Sequence, residues 1–151
     1  MDHEKYMRTA LRLAQTAANK GETPVGCVVV SPEGVIIGRG YNRTEAEDAT
    51  CHAEIEAIRD ASRALGSWRL DGCGLYVTME PCPMCAGAII NSRVSRVYYG
   101  AKDARMGSCG SVINLFMEKY GRSPAVVGGV LADECAEVLG KFFAERRVRE
   151  G

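Results

Sequence analysis

Between Lys5 and Lys20 the apolar residues Tyr6, Met7, Ala10, Leu11, Ala14 and Ala17 recur at intervals of three and four. That is the period of an amphipathic helix, and Gly21 ends it. Two apolar runs rich in β-branched residues follow, Val25 to Val30 and Val35 to Tyr41, separated by Ser31-Pro32-Glu33-Gly34. Their composition and the Pro and Gly between them predict a hairpin closed by a four-residue turn. The polar stretch 42–50 reads as a loop. Ala53, Ile55, Ala57, Ile58, Ala61 and Leu65 then supply the buried face of a second helix, starting at Thr50 or Cys51 and ending near Gly66.

Leu75 to Met79 reads as a strand, and Pro83 stands just inside the next helix, where its missing N–H costs nothing. That helix is expected to reach about Asn91. Val94 to Gly100 predicts a strand, Met106 to Gly110 a Gly-rich loop, Val112 to Tyr120 a short helix, and Ala125 to Val130 a final strand. Ala132 to Arg149, with Cys135, Val138, Leu139, Phe142 and Phe143 on one face, predicts a C-terminal helix ending in a basic cluster. Strands alternating with helices imply a layered α/β domain. No repeat, low-complexity tract or linker interrupts it, so residues 1–151 are expected to form one domain.

Composition narrows the function classes. Lys and Arg balance Asp and Glu at 19 each, so nucleic-acid binding would need a local basic patch. Hydrophobic residues at 46% and charged residues at 25% are ordinary for a globular chain. Seven cysteines, an odd number, and an N-terminus Met1-Asp2-His3-Glu4-Lys5 without the regions of a secretory signal predict a cytoplasmic protein with free or metal-bound thiols. The longest apolar runs are far below the ~20 residues of a membrane span.

The strongest chemical signal is His52-Ala53-Glu54 together with Pro81-Cys82-Pro83-Met84-Cys85. A cysteine pair two residues apart and one distant histidine offer three zinc ligands and leave the fourth position open, which marks a catalytic rather than a structural site. Both groups fall at predicted helix starts, where the dipole and unpaired N–H groups favour thiolate. Glu54 is two residues from His52, so on a regular helix the two would not share a face. Glu54 is therefore expected to serve a water as general acid and base rather than to bind the metal. Buried structural thiols with Glu54 as a dipole-stabilised carboxylate at a helix start are one alternative, opposed by the combination of the C-x-x-C with H-x-E at a predicted helix start. A redox C-x-x-C is another, and it does not explain His52 and Glu54.

H-x-E followed by P-C-x-x-C is the recognised signature of zinc deaminases of nucleobases. Thr23-Pro24-Val25-Gly26, Gly40-Tyr41-Asn42-Arg43, His52-Ala53-Glu54, the run Tyr76 to Ala88 and Gly100-Ala101-Lys102-Asp103 resemble the bacterial tRNA-specific adenosine deaminases. Gly129 to Cys135 and Phe142-Phe143 extend the resemblance to almost the whole chain. It implies a three-layer α/β/α cytidine deaminase-like fold with a central mixed sheet of about five strands. It also implies one zinc per chain, a homodimer, and conversion of adenosine to inosine at the wobble position of a tRNA anticodon loop. By resemblance Asn42 hydrogen-bonds the purine, the backbone of Ala53 helps to grip the base, Met79 lines the pocket wall and Asp103 lies near the substrate backbone. Arg146 and Arg147, in the terminal basic cluster, are candidates for phosphate contacts.

Three departures bear on the substrate. The loop from Asn42 to His52 is one residue shorter than in the family, with Asp48-Ala49-Thr50-Cys51 where a proline usually precedes Thr-Ala. The segment 121–126 lacks the usual Asn-His-Arg, and Ala144 replaces an arginine. A deaminase of a free base or nucleoside, such as guanine or cytosine, is therefore kept as the alternative. A non-catalytic nucleic-acid-binding module with structural zinc is a third, opposed by Glu54 and the open coordination position.

Overall fold

The computed structural model describes residues 2–150. Its elements in chain order are α1 (His3–Asn19), β1 (Gly26–Val30), β2 (Ile36–Tyr41), α2 (Ala53–Leu65), β3 (Gly74–Met79), α3 (Pro83–Ser92), β4 (Arg96–Ala101), β5 (Ala125–Gly128) and α4 (Ala132–Glu150). The sheet is mixed and ordered β2-β1-β3-β4-β5. β1 is antiparallel to both β2 and β3, whereas β3, β4 and β5 run parallel.

Successive residues of a strand point to opposite faces, so an uninterrupted apolar run serves two cores at once. Cys27, Val29, Leu75, Val77 and Val97 meet Ala53, Ala57 and Ala61 of α2 and Ala86 and Ile89 of α3. Their alternates Val28, Val30, Tyr76 and Tyr98 meet Tyr6, Met7 and Ala10 of α1 and Cys135 and Leu139 of α4. Helices thus cover both faces, and the three-layer α/β/α expectation holds. The small alanines of α2 let it lie close to the sheet. A Cβ on Gly40 would run into the backbone of Ala53 and Ala57, so β2 meets the first turns of α2 at backbone distance.

Besides shifts of one or two residues at strand ends, two details differ from the sequence expectation. The segment 112–120 is not a helix: only Leu115–Met117 makes a single 3-10 turn, capped by the Asn114 side chain, which accepts the Phe116 N–H. Ile113, Met117 and Tyr120 stand at helical intervals but find no partner face: they are exposed, as is Val112. α2 starts at Ala53, later than Thr50 or Cys51, because the Asp48 carboxylate accepts the Thr50 N–H and hydroxyl and holds that stretch in a turn. No helix among the described residues is long and apolar enough to cross a membrane.

Candidate active site and metal centre

The residue before each of two helices brings a candidate metal donor to one place. His52 is the N-cap of α2 and Cys82 the N-cap of α3, both in extended conformation, and neither side chain caps its own helix. They are turned toward each other instead. His52 Nδ1 lies 3.6 Å from Cys82 Sγ and 3.6 Å from Cys85 Sγ. The three donor atoms lie within 4.8 Å of one another, and no other such group exists among the described residues.

The spacing fits zinc. Tetrahedral bonds of ~2.3 Å to sulfur and ~2.0 Å to nitrogen place the two donors about 3.6 Å apart, the separation found here. A hydrogen bond from the Cys85 thiol, opposed by burial and reinforced by His52, holds Cys82 down at about 4. The same contact, with burial, pushes Cys85 far above the ordinary thiol range. Thiolate ligands must lose their protons to bind a metal, so zinc binding at such a pair is coupled to proton release.

Glu54 stands in the first turn of α2, 3% exposed. Burial pushes its carboxyl up to about 7. The rule that residues two apart on a helix face away from each other does not apply here, because His52 precedes the helix. His52, Glu54 and Cys82 all open on one cleft of about 430 Å³, a size that suits a small organic group.

Asn42 and Met79 also line this cleft, with Asp103 on its rim. The Asn42 Oδ1 accepts the Ala53 N–H at 2.9 Å, so the backbone donor of Ala53 is taken within the protein. Asp103 Oδ1 accepts the N–H groups of Arg105 and Met106. Arg146 and Arg147 do not line the cleft. Arg146 lies over the Phe142 ring at 5.8 Å, in a neighbouring groove beside the turn at Asn19 and Gly21.

Thr23, Val25, Glu80, Arg105, Met106 and Phe143 also line the cleft, a placement that their sequence positions do not reveal. The buried carboxylate of Glu22 accepts the N–H groups of Glu45 and Ala46 at 2.9 Å each and holds the loop after Asn42. A signal existed for Glu80, a charged residue at the end of a buried strand. Phe143 carried none, since it shares a helix face with core residues.

Residues 1–101 match the family model of the cytidine and deoxycytidylate deaminase zinc-binding region. The chain is 46% identical to the tRNA-specific adenosine deaminase of Bacillus subtilis over 149 residues, 97% of this chain and 92% of that protein. The chain belongs to the zinc-dependent deaminase family. Within that family it stands with the tRNA-specific adenosine deaminases, since the protein of that name from Haemophilus influenzae is also 46% identical, over 95% of this chain and 84% of its own length. A solved structure from a study of A-to-I editing by tRNA:A34 deaminases superposes with a TM-score of 0.85 at 44% identity, covering 89% of this chain and 99% of that one. The guanine deaminase of Nitrosomonas europaea shares the fold, with a TM-score of 0.81, at 27% identity over 93% of this chain and 84% of its own. This deaminase's cofactor is zinc, for which the His52, Cys82 and Cys85 donors are assembled.

Proposed function

We propose that this deaminase hydrolyses the exocyclic amine of adenosine at the wobble position of a tRNA anticodon, leaving inosine and ammonia. The observation that carries the chemistry is the convergence of three zinc donors, two of which, His52 and Cys82, open with the buried carboxyl of Glu54 on one cleft. The substrate assignment follows from the higher identity to tRNA deaminases than to the guanine deaminase.

His52, Cys82 and Cys85 hold the metal. When bound there, zinc supplies the Lewis acidity that brings the pKa of water toward ~7. Glu54 takes a proton from the water that adds to the purine carbon and delivers it to the adjacent ring nitrogen. It then moves the remaining hydroxyl proton to the amine, which departs as ammonia. A carboxyl poised near neutrality can both accept and donate in one turnover.

Because the Asn42 oxygen is engaged by Ala53, its NH2 group is the side that meets the purine, donating to a ring acceptor. Ala53 acts through that bond. Met79 forms an apolar wall, Asp103 holds the rim near the flanking nucleotides, and Arg146 and Arg147 contact phosphates beyond it. Residues 1–151 act as a single deaminase domain, working in the cytoplasm as a homodimer. Seven free cysteines suit a reducing compartment.

The deciding experiment compares inosine formation on an anticodon stem-loop with deamination of free adenosine and free guanine. Binding energy from the flanking nucleotides positions the base, so the stem-loop should be the far better substrate. Turnover of guanine without any activity on tRNA would reject the assignment.

A further inference from the structure

Glu80 occupies the junction between β3 and the Pro81-Cys82 step that delivers a metal ligand. Its side chain is 3% exposed, and no ion pair among the described residues involves it. Its charge is instead met by neutral donors, all from one loop. Oε1 accepts the Asp103 N–H at 3.1 Å and the Ser111 hydroxyl. Oε2 accepts the N–H groups of Cys109 at 2.9 Å and Ser111 at 3.1 Å.

That loop has almost no regular structure of its own between Ala101 and Leu115, so its backbone groups need partners elsewhere. Glu80 satisfies three of its N–H groups at once. The chain closes directly over the carboxylate: a Cβ on Gly107 would strike both the Glu80 carboxyl group and the Asp103 carbonyl. Ser108 donates its N–H to the Pro81 carbonyl at 2.8 Å, a second tie to the same step. From Asp103 the order passes onward, because its carboxylate accepts the Arg105 and Met106 N–H groups. Asp103, Arg105 and Met106 form one wall of the cleft.

We propose that Glu80 is a positioning residue for substrate: it fixes the 103–111 wall of the cleft at a set distance from the metal ligands, and so determines how the nucleotides flanking the target base are held. The inference rests on the cleft being the substrate site. Four donors converge on two oxygens, which a carboxylate can satisfy and an amide cannot. In Glu80→Gln the new NH2 group faces donors, leaving at least one N–H of the loop without a partner and loosening the wall. The zinc donors and the two cores are untouched by that change.

The test is Glu80→Gln, with Ser111→Ala as a milder second variant that removes a single donor. Zinc content should stay at the wild-type level. KM for an anticodon stem-loop should rise by about tenfold with a much smaller change in kcat, and Ser111→Ala should move KM in the same direction by less. Hydrogen exchange of the Glu80→Gln protein should speed up at the amides of the 103–111 loop and not in β3 or α3. Unchanged exchange in that loop, loss of zinc, or a fall in kcat at constant KM would overturn the proposal. The exchange measurement needs no substrate, so it decides the role of Glu80 in the wall even where the stem-loop itself proves not to be the substrate.

Discussion

The side-chain oxygen of Asn42 accepts the backbone N–H of Ala53 at 2.9 Å, supplying α2 with the cap that its own N-cap residue does not provide. His52 has its ring turned to the sulfurs, so a residue from the preceding loop takes over. Asp at position 42 would keep the acceptor and lose the donor. We expect Asn42→Asp to retain the melting temperature within a few degrees while raising KM strongly, whereas Asn42→Ala loses both the substrate contact and about 1 kcal/mol of cap. Equal KM for Asn42→Asp and wild type would remove Asn42 from substrate recognition.

Metal analysis should find one zinc per chain, and Cys82→Ser should lose most of it. A ligand that binds only the folded state raises its stability, so stripping the metal with a chelator should lower the melting temperature. Full zinc occupancy in Cys82→Ser would show that another group completes the site.

Glu54→Gln removes the proton carrier while keeping its shape. Turnover is expected to fall by on the order of 10² to 10⁴ with zinc content and fold retained. Single-turnover assays on the zinc-loaded variant check it, and near-normal rates there would require a different general base.

Gly40 faces the backbone of α2, with the Ala57 N–H and the Glu56 side chain next behind the carbonyl of Ala53. A methyl group there has nowhere to go. Gly40→Ala should cost about 1–3 kcal/mol in denaturant melts, the range for overpacking a close contact. A neutral result would mean that α2 can shift outward without penalty.

Arg146→Ala with Arg147→Ala should weaken stem-loop binding and flatten its salt dependence, because each phosphate that is no longer neutralised takes close to one unit off the slope. Affinity titrations at several salt concentrations measure this directly. An unchanged slope would remove Arg146 and Arg147 from phosphate contact.

Most of the architecture was legible because the β-branched runs and the three-to-four-residue spacing of α1 and α2 are strong local signals. The metal donors were legible for the same reason: His52, Cys82 and Cys85 are chemically distinctive and their pairing at two helix starts needs no knowledge of the loops. What escaped was the loop architecture. The segment 112–120 looked helical from composition, yet its preceding backbone is organised by Glu80, a residue thirty positions upstream, and such long-range pairing leaves no periodicity to read. Glu22 escaped likewise, since the amides it holds belong to Glu45 and Ala46. The sequence pattern puts Phe143 on the core side of α4, but it is 40% exposed and borders the cleft.

The metal donors and Glu54 stand on helix starts packed against the sheet, while the rim of the cleft is drawn from the 103–111 loop and the face of α4. Inheritance can therefore act on the two parts at different rates. Mutations in the rim are expected to change which molecule enters while leaving the packed helix starts in place, and mutations at the starts to affect every reaction alike. A lineage built this way can trade one base for another by changing its loops. A guanine deaminase that keeps the same fold at 27% identity is the kind of relative that such a division leaves behind.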